Sequence, residues 1–384
     1  MKTKRPYAEL IQKSINRLCL TPLTLFLVLV MTGQANAQQI IKFDAPNSGT
    51  STGQGTFTTA INLTGTIIGY VTDNDNGTHG FVGTPAGGFT DFDAPGANPV
   101  VGCTCPAAIN DLGVVTGSDI DTNSVYHGFV RTRDGQITTF DDSQAPAGTG
   151  EGQGTIPAGI NDVGTITGYY VDGNNATHGF VRTPDGKITT FDAPGASDGT
   201  YPGNINDSGV IAGTFYDTNG VGHGFVRTAG GQITTFNPPH SWTGPTSYGT
   251  GSAYINDLGV IAGSYFDAST YVEYGYIRWP DGQFTEFAAP HAGTVVTNVD
   301  QSGTIVYSVN LEGATTGLIL DDNFEAHSFV RAANGEATTF DIPGQIHVPD
   351  MDAGSAGVGI NAQGVIAGHW RDPNLVFHGY VRLP

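Results

Sequence analysis

The 384-residue sequence predicts an all-β protein, namely a seven-bladed β-propeller of four-stranded antiparallel blades that is closed by its N-terminal strand. Three observations predict this fold. The composition, with 56 glycines and 13% charged residues, disfavours helices and suits short strands joined by tight turns. One motif recurs seven times at spacings of 42 to 63 residues. The repeat domain begins and ends at different points of this repeat, which favours a ring of blades closed by the pairing of its two ends.

The repeated motif consists of an apolar residue, an asparagine, a turn glycine and an apolar run, as in "INDLGVIAGS" and "INDSGVIAGT". The seven asparagines are Asn62, Asn110, Asn161, Asn206, Asn256, Asn298 and Asn361. The sixth copy, at Asn298, is degraded, and the long spacing after it is interpreted as an insertion around "LEGATTGLILDDNFEA". Seven copies of one supersecondary unit predict seven blades.

Each copy is predicted to contain four strands, A to D. Strand A ends in "IN", strand B reads "VIAGSY", strand C reads "HGFVR" and strand D reads "KITTFD". The turn "TPDG" between C and D suits a tight turn because Pro presets φ, Asp bonds to its own backbone and Gly accepts a positive φ. A lone strand D, "IIKFDAP", opens the repeat domain, and a lone strand C, "HGYVRLP", ends it. We therefore expect residues 40–46 to pair with residues 378–383.

Residues 1–37 are predicted to be a signal peptide, followed by a repeat domain over residues 38–384. A basic segment precedes the apolar run "LCLTPLTLFLVLVMTG", and "ANA" forms a cleavage signal. We expect a monomer that is secreted to the extracellular space, with the periplasm as the alternative, and that does not insert into a membrane after cleavage. Removing residues 1–37 leaves a net charge of −24, which argues against nucleic acid as a partner.

The pattern "IND.G.VIAG…HGFVRTPDG.ITTFD" resembles the bacterial extracellular repeat of the HAF family, which is named for His-Ala-Phe. The middle residue here is usually Gly, and two copies read "YGY" and "HGY". The resemblance spans essentially all of residues 40–384. It implies export and repetition, and it supplies no catalytic residues.

The repeated "HGF" histidines are interpreted as structural. They are His79, His127, His178, His223, His327 and His378. Histidine is a common metal ligand, but equivalent positions in different blades lie around a ring, whereas one ion needs ligands about 2 Å away. We expect each histidine to hydrogen-bond to its neighbouring turn. The recurrent "FD" and "ND" carboxylates are likewise interpreted as turn and cap residues.

Two further groups of residues are weaker candidates. The loops "DNDNG" and "DIDTN" alternate oxygen-bearing side chains, which Ca²⁺ prefers, and no other cofactor is predicted. The candidate calcium ligands are Asp73, Asp75, Asp119 and Asp121. Cys103 and Cys105 are expected to form a local disulfide, with a soft-metal pair as the alternative.

The long loops depart most from the repeat. They are "NPPHSWTGPTSYGTGSA" and "DIPGQIHVPDMDAGSAG". In an up-and-down blade the D–A and B–C loops emerge on one face, so these loops are expected on one rim, where exposed loops carry function more often than the scaffold does. The candidate ligand-binding residues are His240, Trp242, Tyr248, His347, Asp350, Asp352 and Trp370.

The sequence favours a non-enzymatic binding or cell-surface interaction module, with carbohydrate or another surface protein as the candidate partner. One alternative is a secreted hydrolase or lyase acting on polysaccharide at the same rim, and another is a structural envelope protein. A convergent carboxylate–histidine group would favour the enzyme, an aromatic platform would favour binding, and a rim without a pocket would favour the structural role. No catalytic residue is assigned.

Overall fold

The computed structural model describes residues 39–98, 103–141, 148–244, 248–296 and 302–384, and of residues 350–352 only the backbone. The chain divides into two compact units, Met1–Ala37 and Gln38–Pro384, and the predicted signal peptide lies outside the described residues. Within the described ranges the regular structure consists of 28 strands and no helix, so the all-β prediction is confirmed. None of these residues belongs to a helix long and apolar enough to cross a membrane.

The strands follow one another along the chain, most of them joined by short turns and the groups joined by longer loops. They are β1 (Ile40–Phe43), β2 (Gly55–Ile61), β3 (Ile67–Thr72), β4 (Thr78–Thr84), β5 (Gly88–Phe92), β6 (Thr104–Ile109), β7 (Val115–Ile120), β8 (Tyr126–Arg131), β9 (Ile137–Phe140), β10 (Gly154–Ile160), β11 (Ile166–Val171), β12 (Thr177–Arg182), β13 (Ile188–Phe191), β14 (Thr200–Ile205), β15 (Ile211–Tyr216), β16 (Gly222–Arg227), β17 (Ile233–Phe236), β18 (Tyr254–Ile255), β19 (Ile261–Phe266), β20 (Glu273–Arg278), β21 (Phe284–Phe287), β22 (Gly303–Val309), β23 (Thr315–Leu320), β24 (Glu325–Arg331), β25 (Ala337–Phe340), β26 (Asp350–Ile360), β27 (Ile366–Arg371) and β28 (Phe377–Arg382).

The strands pair antiparallel in consecutive groups of four, which we number from the N-terminus: β2–β5 form group one and β22–β25 form group six. In group seven, β26–β28 are completed by β1, which pairs with β28 from Ile40 opposite Arg382 to Phe43 opposite Gly379. The predicted pairing of the two ends of the repeat domain is confirmed over these residues.

The sixth copy of the repeat differs from the sequence prediction. The asparagine that follows the first strand of group six is Asn310, after β22, and β23 begins beyond the next turn. "VNLEGATTGL" is therefore the sixth copy and not an insertion, with asparagine spacings of 54 residues before it and 51 after it. Asn298, which the sequence assigned to this position, lies outside the described residues.

Close packing rather than backbone conformation favours glycine at one position of strand B in every group and at one position of strand C in six of the seven groups. The sixth group has Ser328 at the strand C position. In strand B, a Cβ on Gly69 would lie 2.0 Å from the carbonyl oxygen of Phe57, where the register of β2 shifts. In strand C, a Cβ on Gly80 would lie 2.8 Å from the ring of Phe92. Real Cβ atoms do not approach other atoms so closely, so the phenylalanine of strand D explains why most copies read "HGF" and not "HAF".

The core lies between successive strand groups. The aromatic residue of each "HGF" or equivalent motif is fully buried, as at Phe129, which packs with Ile68 of the preceding group. The arginine of the same motif extends over a phenylalanine of the preceding group, as Arg131 does over Phe92 at 4.8 Å. This contact recurs for Arg182, Arg227, Arg278, Arg331 and Arg382. Groups two to seven are therefore each held to the preceding group by the same apolar and cation–π contacts, whereas group one has Gly83 in place of the arginine.

Candidate functional site

The repeated histidines join two loops at one end of six of the seven strand groups, and group five has Tyr274 at this position. His79, on β4, places Nδ1 2.8 Å from Oδ1 of Asp93 and Nε2 3.4 Å from Oδ2 of Asp73. Asp73 follows β3 and Asp93 follows β5, so the ring bridges two connections of one group. The arrangement recurs at His127, His178, His223, His327 and His378, with Asn237 as the Nδ1 partner of His223. We call this arrangement the histidine clasp.

Two of the four candidate calcium ligands, Asp73 and Asp121, have hydrogen-bond partners within their loops. Asp73 Oδ1 accepts hydrogen bonds from the backbone N–H groups of Asp75 and Gly77 at 2.9 and 2.7 Å, and Asp121 makes the equivalent pair. Such bonds are those of an Asx turn. Asp119 is almost fully buried on β7, while Asp75 is exposed. Turn formation thus accounts for Asp73 and Asp121, and calcium binding by the four aspartates stays a prediction.

Open polar cavities lie beside two of the clasps. One of about 440 Å³ is lined by residues that include Asp75 and His79, and one of about 350 Å³ by residues that include His178 and Tyr201. The histidines in both walls are already paired with aspartates of the clasp. The histidine side chain in the wall of each cavity is therefore already engaged within the protein.

A third cavity, of about 270 Å³, lies where the first strands of all the groups end. Its wall contains buried asparagines, each of which donates a hydrogen bond from Nδ2 to the backbone carbonyl of the asparagine in the next group, at 2.7 to 3.3 Å. The bonds link Asn62, Asn110, Asn161, Asn206, Asn256, Asn310 and Asn361, and the last of them returns to Asn62. Each Oδ1 accepts a bond from the backbone N–H four residues later. The repeated asparagine therefore closes its own turn and joins neighbouring groups.

Two of the long-loop candidates belong to one aromatic cluster. The ring of Trp242 lies 5.0 Å from that of Tyr271 and 6.5 Å from that of Tyr248, which in turn lies 5.0 Å from Phe266. The indole N–H donates to the Gly244 carbonyl at 2.8 Å, so the polar edge of the ring is turned into its own loop. Tyr271 is 42% exposed and Trp242 is half-buried. We call Trp242, Tyr248 and Tyr271 the aromatic patch.

The exposed His240 lies on the same loop as the patch. Its backbone carbonyl accepts a hydrogen bond from Ala268 at 2.9 Å, and Nδ1 lies 2.6 Å from Oε2 of Glu286 on β21. The hydrogen bond and charge of Glu286 raise the pKa of His240. Sequence reasoning missed Glu286 and Tyr271, although Glu286 replaces the second threonine of the repeated "ITTF" and departs from the pattern there.

His347 lies apart from the patch, in a cluster with group six. It follows β25, with Nδ1 3.3 Å from Oε2 of Glu325 and its ring 5.8 Å from that of His327. Asp350 begins β26 and is opposite Glu325 in the parallel register. The side chains of Asp350 and Asp352 lie outside the described part of the chain. The long-loop candidates are thus divided between at least two clusters.

The prediction that Trp370 lines an exposed rim is wrong for its side chain. Trp370 is 6% exposed and stacks on His378 with ring centroids 4.7 Å apart. The ammonium group of Lys42, on the N-terminal strand, covers its ring at 4.8 Å. Because β1 and β28 both supply neighbours, the indole is a packing residue of the last strand group.

Cys103 and Cys105 form a disulfide in the structure, with Cα atoms 5.5 Å apart. The backbone of Cys103 forms an isolated parallel β-bridge with Thr78 of the preceding group, and Cys105 lies on β6 opposite Ser118. The bond closes across a single intervening residue at the start of group two, so it constrains only the local entry into β6.

The electrostatics of the clasps and of two buried carboxyls make stability depend on pH. The hydrogen bond to Asp341 raises the pKa of His327 above 6.5, and burial raises the pKa of Glu273 to about 7 and that of Asp119 to about 6. A group whose pKa is higher in the folded state than in the unfolded state binds its proton more tightly when the protein is folded. Its contribution to the free energy of unfolding is complete below the unfolded-state pKa and is lost as the pH rises through the folded-state pKa. The free energy of unfolding is therefore expected to be larger at about pH 5.5 than at about pH 8.

Urea unfolding at the two pH values measures this difference. Glu273→Gln is the control, because it removes a carboxyl that accepts a 2.5 Å hydrogen bond from Ser264 and replaces it with a neutral amide. This variant should show a smaller difference between the two pH values. A protein that is equally stable at both would contradict the prediction.

The comparisons with known proteins show the fold. The chain matches no protein-family model and no curated protein. Among solved structures, virginiamycin B lyase from Staphylococcus aureus is similar, with a TM-score of 0.53 and 16% identity over 90% of this chain and 100% of that chain. A streptogramin B lyase is similar with a TM-score of 0.54 and 14% identity over 90% of this chain and 98% of that one. The fold is a β-propeller-like repeat fold. At these identities the likeness says nothing about activity.

Proposed function

We propose that the protein is an exported, non-enzymatic binding module of the HAF repeat type and that its ligand is a carbohydrate. The observation that carries this proposal is the aromatic patch beside the His240–Glu286 pair. Sugars present an apolar ring face, which packs on flat aromatic rings, and hydroxyl groups, which hydrogen-bond to charged or polar neighbours. The patch and the pair, which come from two loops and β21, supply both kinds of contact.

The charge of the protein narrows the class of carbohydrate. The repeat domain carries a net charge of −24, with ten basic residues. An acidic polysaccharide would be repelled by this field, whereas a neutral or cationic glycan would not. A neutral or cationic glycan is therefore the ligand that we propose.

The fold that presents this site is proposed to be a ring of seven four-stranded blades. The 28 strands, the pairing of β1 with β28 and the series of asparagine bonds that returns to Asn62 support this count. In such a ring the β17–β18 and β19–β20 loops, which carry the patch, open on the face opposite the turn between β20 and β21, because alternate connections of a meander lie at opposite ends.

The recurrence of the histidine clasp favours binding over catalysis. A histidine between two acidic residues suits acid–base chemistry, but the same group occurs in five strand groups and, with Asn237, in a sixth. Fold-wide repetition is typical of packing, since a catalytic site is usually unique. The clasps therefore support a structural interpretation of the repeated histidines.

A glycan array on the mature protein, followed by calorimetry with the glycan that binds, tests the proposal. Trp242→Ala is expected to weaken binding about tenfold or more with little loss of stability, because a central aromatic anchor is worth about 2 kcal/mol. The matched control is Trp279→Ala, which removes a half-buried tryptophan from the turn after β20. That variant should bind with unchanged affinity.

For a histidine of the clasp we expect the opposite result, namely a loss of stability without a loss of binding. His178→Ala should lower the melting temperature and leave binding per folded molecule intact, because the ring joins two loops of group three. If His178→Ala abolished binding in a folded protein while Trp242→Ala had no effect, the site and the scaffold would be assigned the wrong way round.

A further inference from the structure

Group six has two side chains that could bind a metal ion in addition to the histidine and the two aspartates of its clasp. In group six, His327 is bonded through Nδ1 to Oδ1 of Asp341 at 2.6 Å, and its Nε2 lies 3.9 Å from Oδ2 of Asp321. Glu325 and His347 join this clasp, 3.3 Å apart. Ligand atoms of Asp321, Glu325 and His327 all lie within 4.8 Å of one another, and so do those of His327, Asp341 and His347.

Comparison with the other groups shows that Glu325 is an unusual residue at its position. The residue two before the clasp histidine is a buried valine in three other groups, namely Val125, Val221 and Val376. In the other two groups with a clasp this residue is Gly77 or Ala176, so the carboxylate occurs in group six alone, where it loses hydration unless it gains a partner. In group six that partner is His347, which comes from a loop with no equivalent histidine in the repeat.

We propose that Asp321, Glu325, His327 and His347 bind a divalent transition-metal ion of the Zn²⁺ class. Zinc donors lie about 2.0–2.2 Å from the ion, so two donors of one ion are separated by at most about 4.3 Å, which the distance from His327 to Asp321 allows. Two imidazoles with carboxylates favour zinc over calcium, which prefers an all-oxygen set.

Asp341 has a separate role in this proposal. Its bond to Nδ1 of His327 places the proton on that nitrogen and leaves the Nε2 lone pair directed towards Asp321. Gln345 in turn donates a hydrogen bond to Oδ1 of Asp341 at 2.9 Å. A carboxylate that orients a ligating histidine in this way is a regular feature of zinc sites, and we assign Asp341 as a positioning residue.

The site is accessible to an ion from solvent. The side chain of His347 is 46% exposed and that of Asp341 is 47% exposed, whereas His327 is 15% exposed. His347 therefore lies at the surface, and the less exposed His327 lies beneath it. This arrangement gives an entry path and lets the outer ligand be replaced without disturbing the core.

Calorimetric titration of the chelator-treated mature protein with Zn²⁺ tests the proposal, with Co²⁺ absorption as the second readout. We expect one equivalent to bind and to give the visible bands of Co²⁺ coordinated by nitrogen and oxygen. His347→Ala and Glu325→Gln should each weaken Zn²⁺ binding about tenfold or more, since losing an orienting or ligating group has effects of this size. Neither variant removes the clasp between His327 and its aspartates.

The matched control is His240→Ala, which removes an exposed histidine that is also paired with a glutamate but lies near no second histidine in the cluster described. It should bind Zn²⁺ as the unaltered protein does. Failure of the unaltered protein to bind one equivalent, or equal affinity in His347→Ala, Glu325→Gln and the unaltered protein, would overturn the proposal. So would loss of the ion in His240→Ala. Carbohydrate binding does not enter any of these measurements.

Discussion

Deleting residues 38–46 is expected to lower the free energy of unfolding by about 3–6 kcal/mol. The deletion removes β1, which pairs with β28 over four residues, and leaves the edge of β28 open. It also removes Phe43, whose ring stacks on that of Phe89 at 4.6 Å, and Ile41, which packs in the same cluster. Each buried apolar side chain contributes about 1.5–3 kcal/mol, and the lost strand bonds add to this.

The same deletion removes two contacts that stabilise group seven. Asp44 is the Nδ1 partner of His378 at 2.7 Å, and Lys42 covers the ring of Trp370. The hydrogen bond to Asp44 raises the pKa of His378, so the deletion should also reduce the dependence of stability on pH.

Phe43→Ala provides a graded control for the deletion, because it keeps the backbone pairing and removes one ring. Its effect, measured by urea unfolding, should be a fraction of that of the deletion, about 2–3 kcal/mol. A truncated protein with the stability of the full repeat domain would show that β1 does not hold the last strand group.

The order of the strands could be predicted because each copy of the repeat contains recognisable turn-forming residues. "NDLG" and "TPDG" fix where a strand ends, and the apolar runs between them fix which segments pair. The pairing of β1 with β28 followed from phase alone, since a lone strand D and a lone strand C complete one another. Local chemistry repeated along the chain therefore determined the long-range contact.

From the sequence, the sixth copy was misplaced because its turn and strand residues differ from those of the other copies, although its backbone arrangement is the same. "LEG" replaces the usual "DLG" after Asn310, and "TTG" replaces "IAG" in β23. The glycine needed next to the first strand remains, and a Cβ on Gly317 would lie 1.9 Å from the carbonyl oxygen of Ile305. A search for that close-packed glycine, rather than for the acidic turn residue, would have found the copy.

The candidate site was less predictable because its contacts come from distant segments. Trp242 and Tyr248 could be found as residues that depart from the repeat, but their neighbour Tyr271 lies in the loop after the next B strand. Trp370 departs from the repeat as well, yet it is buried by Lys42 from the opposite end of the domain. A residue that departs from the repeat has surroundings that differ from those of its equivalents in the other copies. Whether its side chain is exposed to solvent can be seen only in the folded structure.

Replacing Asn310 with alanine is expected to lower the free energy of unfolding by about 2–4 kcal/mol. Asn310 is 5% exposed, accepts a hydrogen bond from Ala314 N at 2.9 Å and donates one to the Asn361 carbonyl at 3.0 Å. Alanine makes neither bond, so the half-buried N–H of Ala314 loses its partner, at about 1–3 kcal/mol, and the Asn361 carbonyl keeps only its bond from Gly364 N, at about 0.5–1.5 kcal/mol for the lost bond. Asn174→Ala is the matched control, since Asn174 is exposed and bonds only within its own turn; it should change stability by less than about 0.5 kcal/mol. Urea unfolding of both variants and of Asn298→Ala distinguishes the two registers of the sixth copy, because a large loss at Asn298 with none at Asn310 would restore the register that the sequence suggested.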